Sequence, residues 1–256
     1  MSPYSHWLTF LSWAALIAAF SSSAIIVVDI VRQPQKMGIM NVVWPITALY
    51  WGPVALWAYF RAGIQSTKKH HQEMMRKLGQ EKMQQQKEAI KQQPPTRTQV
   101  ALAATHCGAG CALGDIWGET LVAVAGISFL GGVLPTRLAV DFVLAWILGV
   151  VFQYFTIVPM RGLSFGKGII AAIKADTVSI VAFQVGMSVW MILTYYVIFP
   201  SPHLKPTQAA FWFMMQVAMI IGFFTSYPAN VWLLKRGLKE RMPETPGAAS
   251  ALDNVA

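Results

Sequence analysis

Charge is scarce in this chain, and acidic charge most of all: eleven Asp and Glu stand against twenty Lys and Arg, and charged residues make up only 12% of 256. A soluble domain of this size is about a quarter charged. With 55% of its residues hydrophobic, the chain carries more apolar surface than a water-soluble fold can hide. Cysteine is scarcer still. The only two, Cys107 and Cys111, lie inside one apolar run, which excludes a secreted disulfide scaffold. No HExxH pattern and no Ser/His/Asp arrangement supports a hydrolase. No run of alternating short strands suggests a β-barrel.

What the chain does have is long apolar runs. A helix needs about 20 apolar residues to cross the hydrocarbon core, and six stretches qualify: about 7–28, 38–60, 99–126, 136–158, 177–199 and 208–234. The fold expected is an all-α, polytopic transmembrane bundle of about six spans. The first run has no Lys or Arg ahead of Trp7 and is as long as a full span, which favours a membrane helix over a cleaved leader. Orientation follows from the basic residues: nine Lys/Arg fall in 61–97, three in 159–175 and four in 235–256. The positive-inside rule puts these segments, and with six spans both termini, in the cytoplasm. Arg32, Lys36, Arg137 and Lys205 are then left outside, and the first two are the weak point of that topology. Tyr59 reads as an aromatic anchor at the inner interface. The net charge of +9 raises nucleic acid as a partner. The basic residues sit between apolar runs, however, so the anionic inner leaflet is the expected partner and nucleic acid is not.

Four regions follow: two N-terminal membrane helices in 1–60, a basic Gln/Lys-rich cytoplasmic linker in 61–97, a four-helix membrane core in 98–241 and a disordered tail in 242–256. The linker lacks a wide apolar stripe that could pack a helix. His70 and His71 are adjacent in it, so on a helix they splay by about 100° and do not form a metal clamp. Gly162, Gly166 and Gly168 read as a short flexible turn between helices.

The chemistry concentrates in the third run. Cys107, Cys111 and Asp115 are spaced i, i+4, i+8, so a helix stacks them on one face, and Glu119 continues that line. Ionisable groups at membrane depth cost roughly 2.5–3.5 kcal/mol each on insertion scales and by default mark a functional site. Two thiolates one turn apart suit a soft ion such as Cu(I), completed by Met thioethers. Met187 with Met191, and Met215 with Met219, are i, i+4 pairs at similar depth. His106 points about 100° away from Cys107 on a regular helix and joins such a site only if Gly108 and Gly110 let the helix unwind. It is the only His within the six runs, which argues against haem. Asp115, Glu119 and Asp141 converge on the outer half as a cation entrance or proton relay, or else as a structural network. Lys174 is the expected partner of Asp176 at the inner boundary. The competing reading makes the thiols small buried packing residues, with Gly108, Gly110 and Gly114 as a close-packing surface. A Cys-x3-Cys pair on a helix, with Cα atoms about 6 Å apart and poorly directed side chains, does not suit a relaxed disulfide.

Several stretches together resemble a known family: Asn41 to Tyr50 (NVVWPITALY), His106 to Asp115 (HCGAGCALGD), Phe152 to Arg161 (FQYFTIVPMR), Lys174 to Thr177 (KADT) and Phe223 to Asn230 (FFTSYPAN). They are similar to a domain-of-unknown-function family of bacterial integral membrane proteins, over about 41–60 and 98–240. The resemblance implies a bacterial inner-membrane protein and brings no catalytic residue. Three functional expectations remain. The first is binding or passage of a soft metal such as Cu(I) by Cys107 and Cys111, with Met187, Met191, Met215, Met219 and His106 as further candidates. The second is a non-catalytic subunit packed against other membrane subunits or copies of itself. The third is a membrane thiol oxidoreductase, the one enzymatic option and the weakest.

Overall fold

The computed structural model describes residues 6–70, 72, 73, 76, 85 and 93–241. His71, the rest of the basic linker and the tail from 242 onward lie outside the described residues. Regular structure among the described residues is helical, apart from one isolated backbone bridge. The helices are α1 (His6–Arg32), α2 (Met40–Trp51), α3 (Pro53–Ala58), α4 (Arg97–Ala125), α5 (Val133–Arg161), α6 (Phe165–Leu193) and α7 (Ala209–Lys235). A π-helical turn, Tyr59–Gly63, extends α3, and another, Thr194–Ile198, extends α6.

Four of these are long and apolar enough to cross a membrane: α1, α5, α6 with its π extension, and α7. Large apolar side chains stay exposed along them, such as Val143, Ile147, Val151 and Phe155 at four-residue spacing on α5. Helices apolar toward both their neighbours and their surroundings belong in hydrocarbon. The architecture is that of a membrane protein.

Helix α4 is long enough but not apolar enough to join those four, and its position explains why. It buries 18 of its 29 residues, packed against α2, α5, α6 and α7, whereas α1 buries only six of 27. A helix lined by other helices instead of lipid can carry polar groups, provided its neighbours meet them. Its start is set by a reciprocal cap. Thr96 Oγ1 accepts from the Gln99 N–H at 3.2 Å, and Gln99 Oε1 accepts from the Thr96 N–H at 3.3 Å.

The second expected span, 38–60, is not one continuous helix. Helix α2 stops at Gly52, whose φ of 54° and ψ of −129° break the helix where only glycine is unstrained, and Pro53 starts α3 afresh. The two arms fold back on each other. Gln35 and Thr67 form an antiparallel bridge, the Lys36 N–H donates to the Ser66 carbonyl at 2.9 Å, and the Lys68 N–H donates to Pro34 at 3.0 Å. Trp44 meets Tyr59 edge-on at 5.4 Å. Tyr59, read from sequence as an interfacial anchor, is instead fully buried in this hairpin, and its hydroxyl donates to Asp29 Oδ2 at 2.7 Å. Both ends of the hairpin therefore lie at the C-terminal end of α1. Its tip, Gly52, comes against Ala19, 13 residues and so about 20 Å back along α1.

Candidate functional site

The site is built on the contact between α4 and α5. Gly110 faces Gly149, Gly114 faces Ala145 and Gly118 faces Asp141, an antiparallel register of three matched positions one turn apart. A Cβ at Gly110 would lie 2.8 Å from the Gly149 Cα, and one at Gly114 would collide with the Ala145 backbone. Small residues at i, i+4 and i+8 let the two backbones close up. The surface is thus Gly110, Gly114 and Gly118. Gly108, grouped with it from sequence, is turned by about 200° relative to Gly110 and lies under Tyr50 and Phe183 instead.

This close approach drives the polar residues of α4 against partners on every side. At one end, Arg137 Nε lies 3.2 Å from Glu119 Oε2, and Arg137 stacks over the Phe211 ring at 5.7 Å. Asp141, one turn beyond Arg137 on α5, is only 1% exposed. Its carboxyl packs on Gly118 and faces Glu119. One turn further along α4, Asp115 Oδ1 accepts from Gln184 Nε2 on α6 at 3.3 Å. Asp115 Oδ2, both Asp141 oxygens, Gln184 Oε1 and Thr194 Oγ1 are buried without a hydrogen-bond partner. Glu119, Arg137 and Thr194 line a shallow cleft with Leu134, Met191, Tyr195, Leu204 and Phe211.

Midway along α4, Cys107 and Cys111 are both free thiols with no exposed surface, next to each other and near Tyr50. His106 turns the other way, toward α5. Its Nε2 lies 2.8 Å from Thr156 Oγ1, and its ring meets Phe152 edge-on at 6.1 Å. Since α4 stays helical from Arg97 to Ala125, His106 does not join the thiols. The four methionines put forward from sequence, Met187, Met191, Met215 and Met219, are all buried in the same apolar core as the thiols. Met191 also lines the Glu119 cleft. No group of three or more His, Cys, Asp and Glu is arranged to hold a metal among the described residues.

The other end of the bundle holds a second polar group, which differs from the sequence expectation. Asp176 pairs with Lys239 at 2.7 Å and not with Lys174. Lys239 Nζ also donates to Asn230 Oδ1 at 3.0 Å, and Asn230 Nδ2 donates to Ser179 Oγ at 2.7 Å. The reason is a turn after α7. Gly237, at φ 65°, takes the left-handed conformation that closes a helix. The Leu238 N–H then returns to the Leu233 carbonyl at 3.1 Å, and the chain folds Lys239 back into the bundle. Arg161, bonded to Glu240 and at 3.1 Å to the Gly237 carbonyl, holds the turn from α5. Gly237 just past the end of α7 was the available signal for the turn, but nothing marked Lys239 among the neighbouring Lys235, Arg236 and Arg241. Gly168, read as part of a loose turn, lies inside α6, where a Cβ would meet Val158 and Tyr154.

Residues 96–239 match the family described as Domain of unknown function (DUF4396), and the chain belongs to that family. The match begins at the Thr96 cap and ends at Lys239, so it takes in α4 to α7 with both polar groups and leaves out α1 and the hairpin. No curated protein and no solved structure matches the chain.

Proposed function

We propose that this chain is an integral protein of a bacterial inner membrane that holds or passes a cation through the polar interior around α4. One observation carries the reading. The most deeply packed helix of the bundle is also the one that bears His106, Cys107, Cys111, Asp115 and Glu119. Polar groups at such depth are expensive, and proteins keep them where they bind or conduct.

The hairpin argues for five crossings instead of six, with α2 and α3 entering and leaving on one side. The N-terminus then lies outside and the C-terminus inside. Arg32 and Lys36 move to the inner side with the other basic segments, which leaves Arg137 and Lys205 as the two outside. That distribution meets the positive-inside rule better than six spans do. Re-entrant backbone at membrane depth is tolerated where protein buries it. Here the Leu49 carbonyl at the tip accepts from Gln216 at 2.7 Å, and Trp51 packs on Phe223 and Phe224.

The two neighbouring buried thiols favour a second version of the cargo, a soft ion such as Cu(I) held by Cys107 and Cys111 with Met thioethers. One flux experiment tests both. Purified protein in vesicles is expected to move protons or Cu(I) above the rate of empty vesicles. Cys107→Ser/Cys111→Ser would abolish flux if the ion is soft and spare it if the carboxylates carry the ion. Vesicles as tight as empty ones to both ions would end the ion-passing reading.

A further inference from the structure

Resting on that cation reading, we propose that the occupant is a proton, held among Asp141, Glu119 and Asp115 and admitted through the cleft lined by Glu119, Arg137 and Thr194. The three carboxylates are each 1–2% exposed. From α5 they face Arg137, which is spent on Glu119. From α6 and its π-helical extension they face Gln184, Thr194 and the Tyr195 phenol, none of them a cation. From α7 and the loop before it come Phe211 and Leu204, while Lys205 is exposed. No second cation faces the group among the described residues, so two buried carboxyls have no counter-charge. A buried carboxylate is unstable without one, and protonation removes the charge.

Two further groups independent of the acids point the same way. The Gln184 carbonyl, on the side chain that meets Asp115, and the Thr194 hydroxyl, which lines the cleft with Glu119, are nine-tenths buried or more and unpartnered. A proton on Asp141 gives that carboxyl a donor for Glu119, and one on Asp115 provides a donor where none exists now. The layout suits a proton better than a metal ion. Asp115 and Glu119 follow each other along α4 one turn apart instead of converging on a point, and the described residues offer no metal-holding group of three. A proton needs only successive acceptors. With Asp141 and Asp115 protonated at rest, a proton lost from Asp115 would be replaced from Asp141. That of Asp141 would be replaced from Glu119, and that of Glu119 from hydronium in the cleft, which leaves as water. Each step breaks one O–H bond and forms another, with no bond to carbon changed.

Infrared spectroscopy of the reconstituted full chain near neutral pH tests this. The wild type is expected to show the C=O stretch of protonated carboxylic acid, shifted in D2O. Asp141→Asn, close in shape, is expected to lose about half of that band, since one of two proton-holding carboxyls is gone. A wild type with no protonated carboxyl near neutral pH overturns the proposal whether or not any variant folds. So does a band undiminished in both Asp141→Asn and Asp115→Asn. The band is read separately from transport. Its presence with no proton flux would leave the proton site standing and remove the ion-passing reading. Proton flux without the band would do the reverse.

Discussion

Lys239 shows how much a single residue can carry in this bundle. Its ammonium is buried against Asp176 and Asn230, and Asn230 passes the link on to Ser179. Removing one member of a buried ion pair strands the other charge, which costs about 3–5 kcal/mol. Lys239→Met should therefore lower the melting temperature of the purified protein sharply. Lys239→Met combined with Asp176→Leu should recover much of the loss, because an apolar pair of similar volume replaces the ionic one. Equal melting of wild type and Lys239→Met would show that the pair contributes nothing. His106 and Tyr59 make the same point from the other side. His106 Nε2 is committed to Thr156, on the side away from the thiols, and the Tyr59 hydroxyl to Asp29, away from any interface, while His106 Nδ1 is buried without a hydrogen-bond partner.

Among the elements, the α4–α5 pair is where small residues matter most. Gly114 lies on the Ala145 backbone, which cannot rotate away as a side chain can. Gly114→Ala should force the helices apart and destabilise the fold by about 1–3 kcal/mol, as overpacking does. Gly166→Ala is the matched control, since a Cβ there meets nothing within 4 Å. Thermal melts of the two variants side by side check this, and matching curves would mean the contact is looser than drawn. The pairing of Gly110 with Gly114 was legible from helical periodicity, while Gly118 was not named from the sequence and Gly108 was included in its place. Which face they occupied was not legible, because Gly108 belongs to a different contact and only the positions of α2 and α6 reveal it. The hairpin is a second case. Residues 38–60 have the hydropathy of a span and Pro45 as an obvious irregularity, yet the helix runs through Pro45 and breaks at Gly52.

At the scale of the whole molecule, the proposed five-crossing topology predicts on which side each segment lies. A periplasmic reporter at the N-terminus should be active, while reporters joined after residue 66 and after residue 241 should both be silent. With six crossings the N-terminal reporter would be silent as well, so that one fusion separates the two topologies. The family match supports treating α4 to α7 as the shared core. Both polar groups lie within it, and α1 with the hairpin lies outside the match and packs on α4 and α7.

The apolar runs, the low charge and the segments in which basic residues gather are properties of composition and order. Hydrophobic length and the inner-leaflet preference for Lys and Arg act locally, so the sequence by itself determined that this is a helical membrane protein with thiols and carboxylates stacked on one helix. Partnership is not local. That Asp176 meets Lys239, that Arg137 meets Glu119, that His106 turns from the thiols and that the second run folds back were decided only by the tertiary structure. Each depends on which helix lies opposite at a given height, and contacts between residues far apart in the chain leave no periodic mark within either segment.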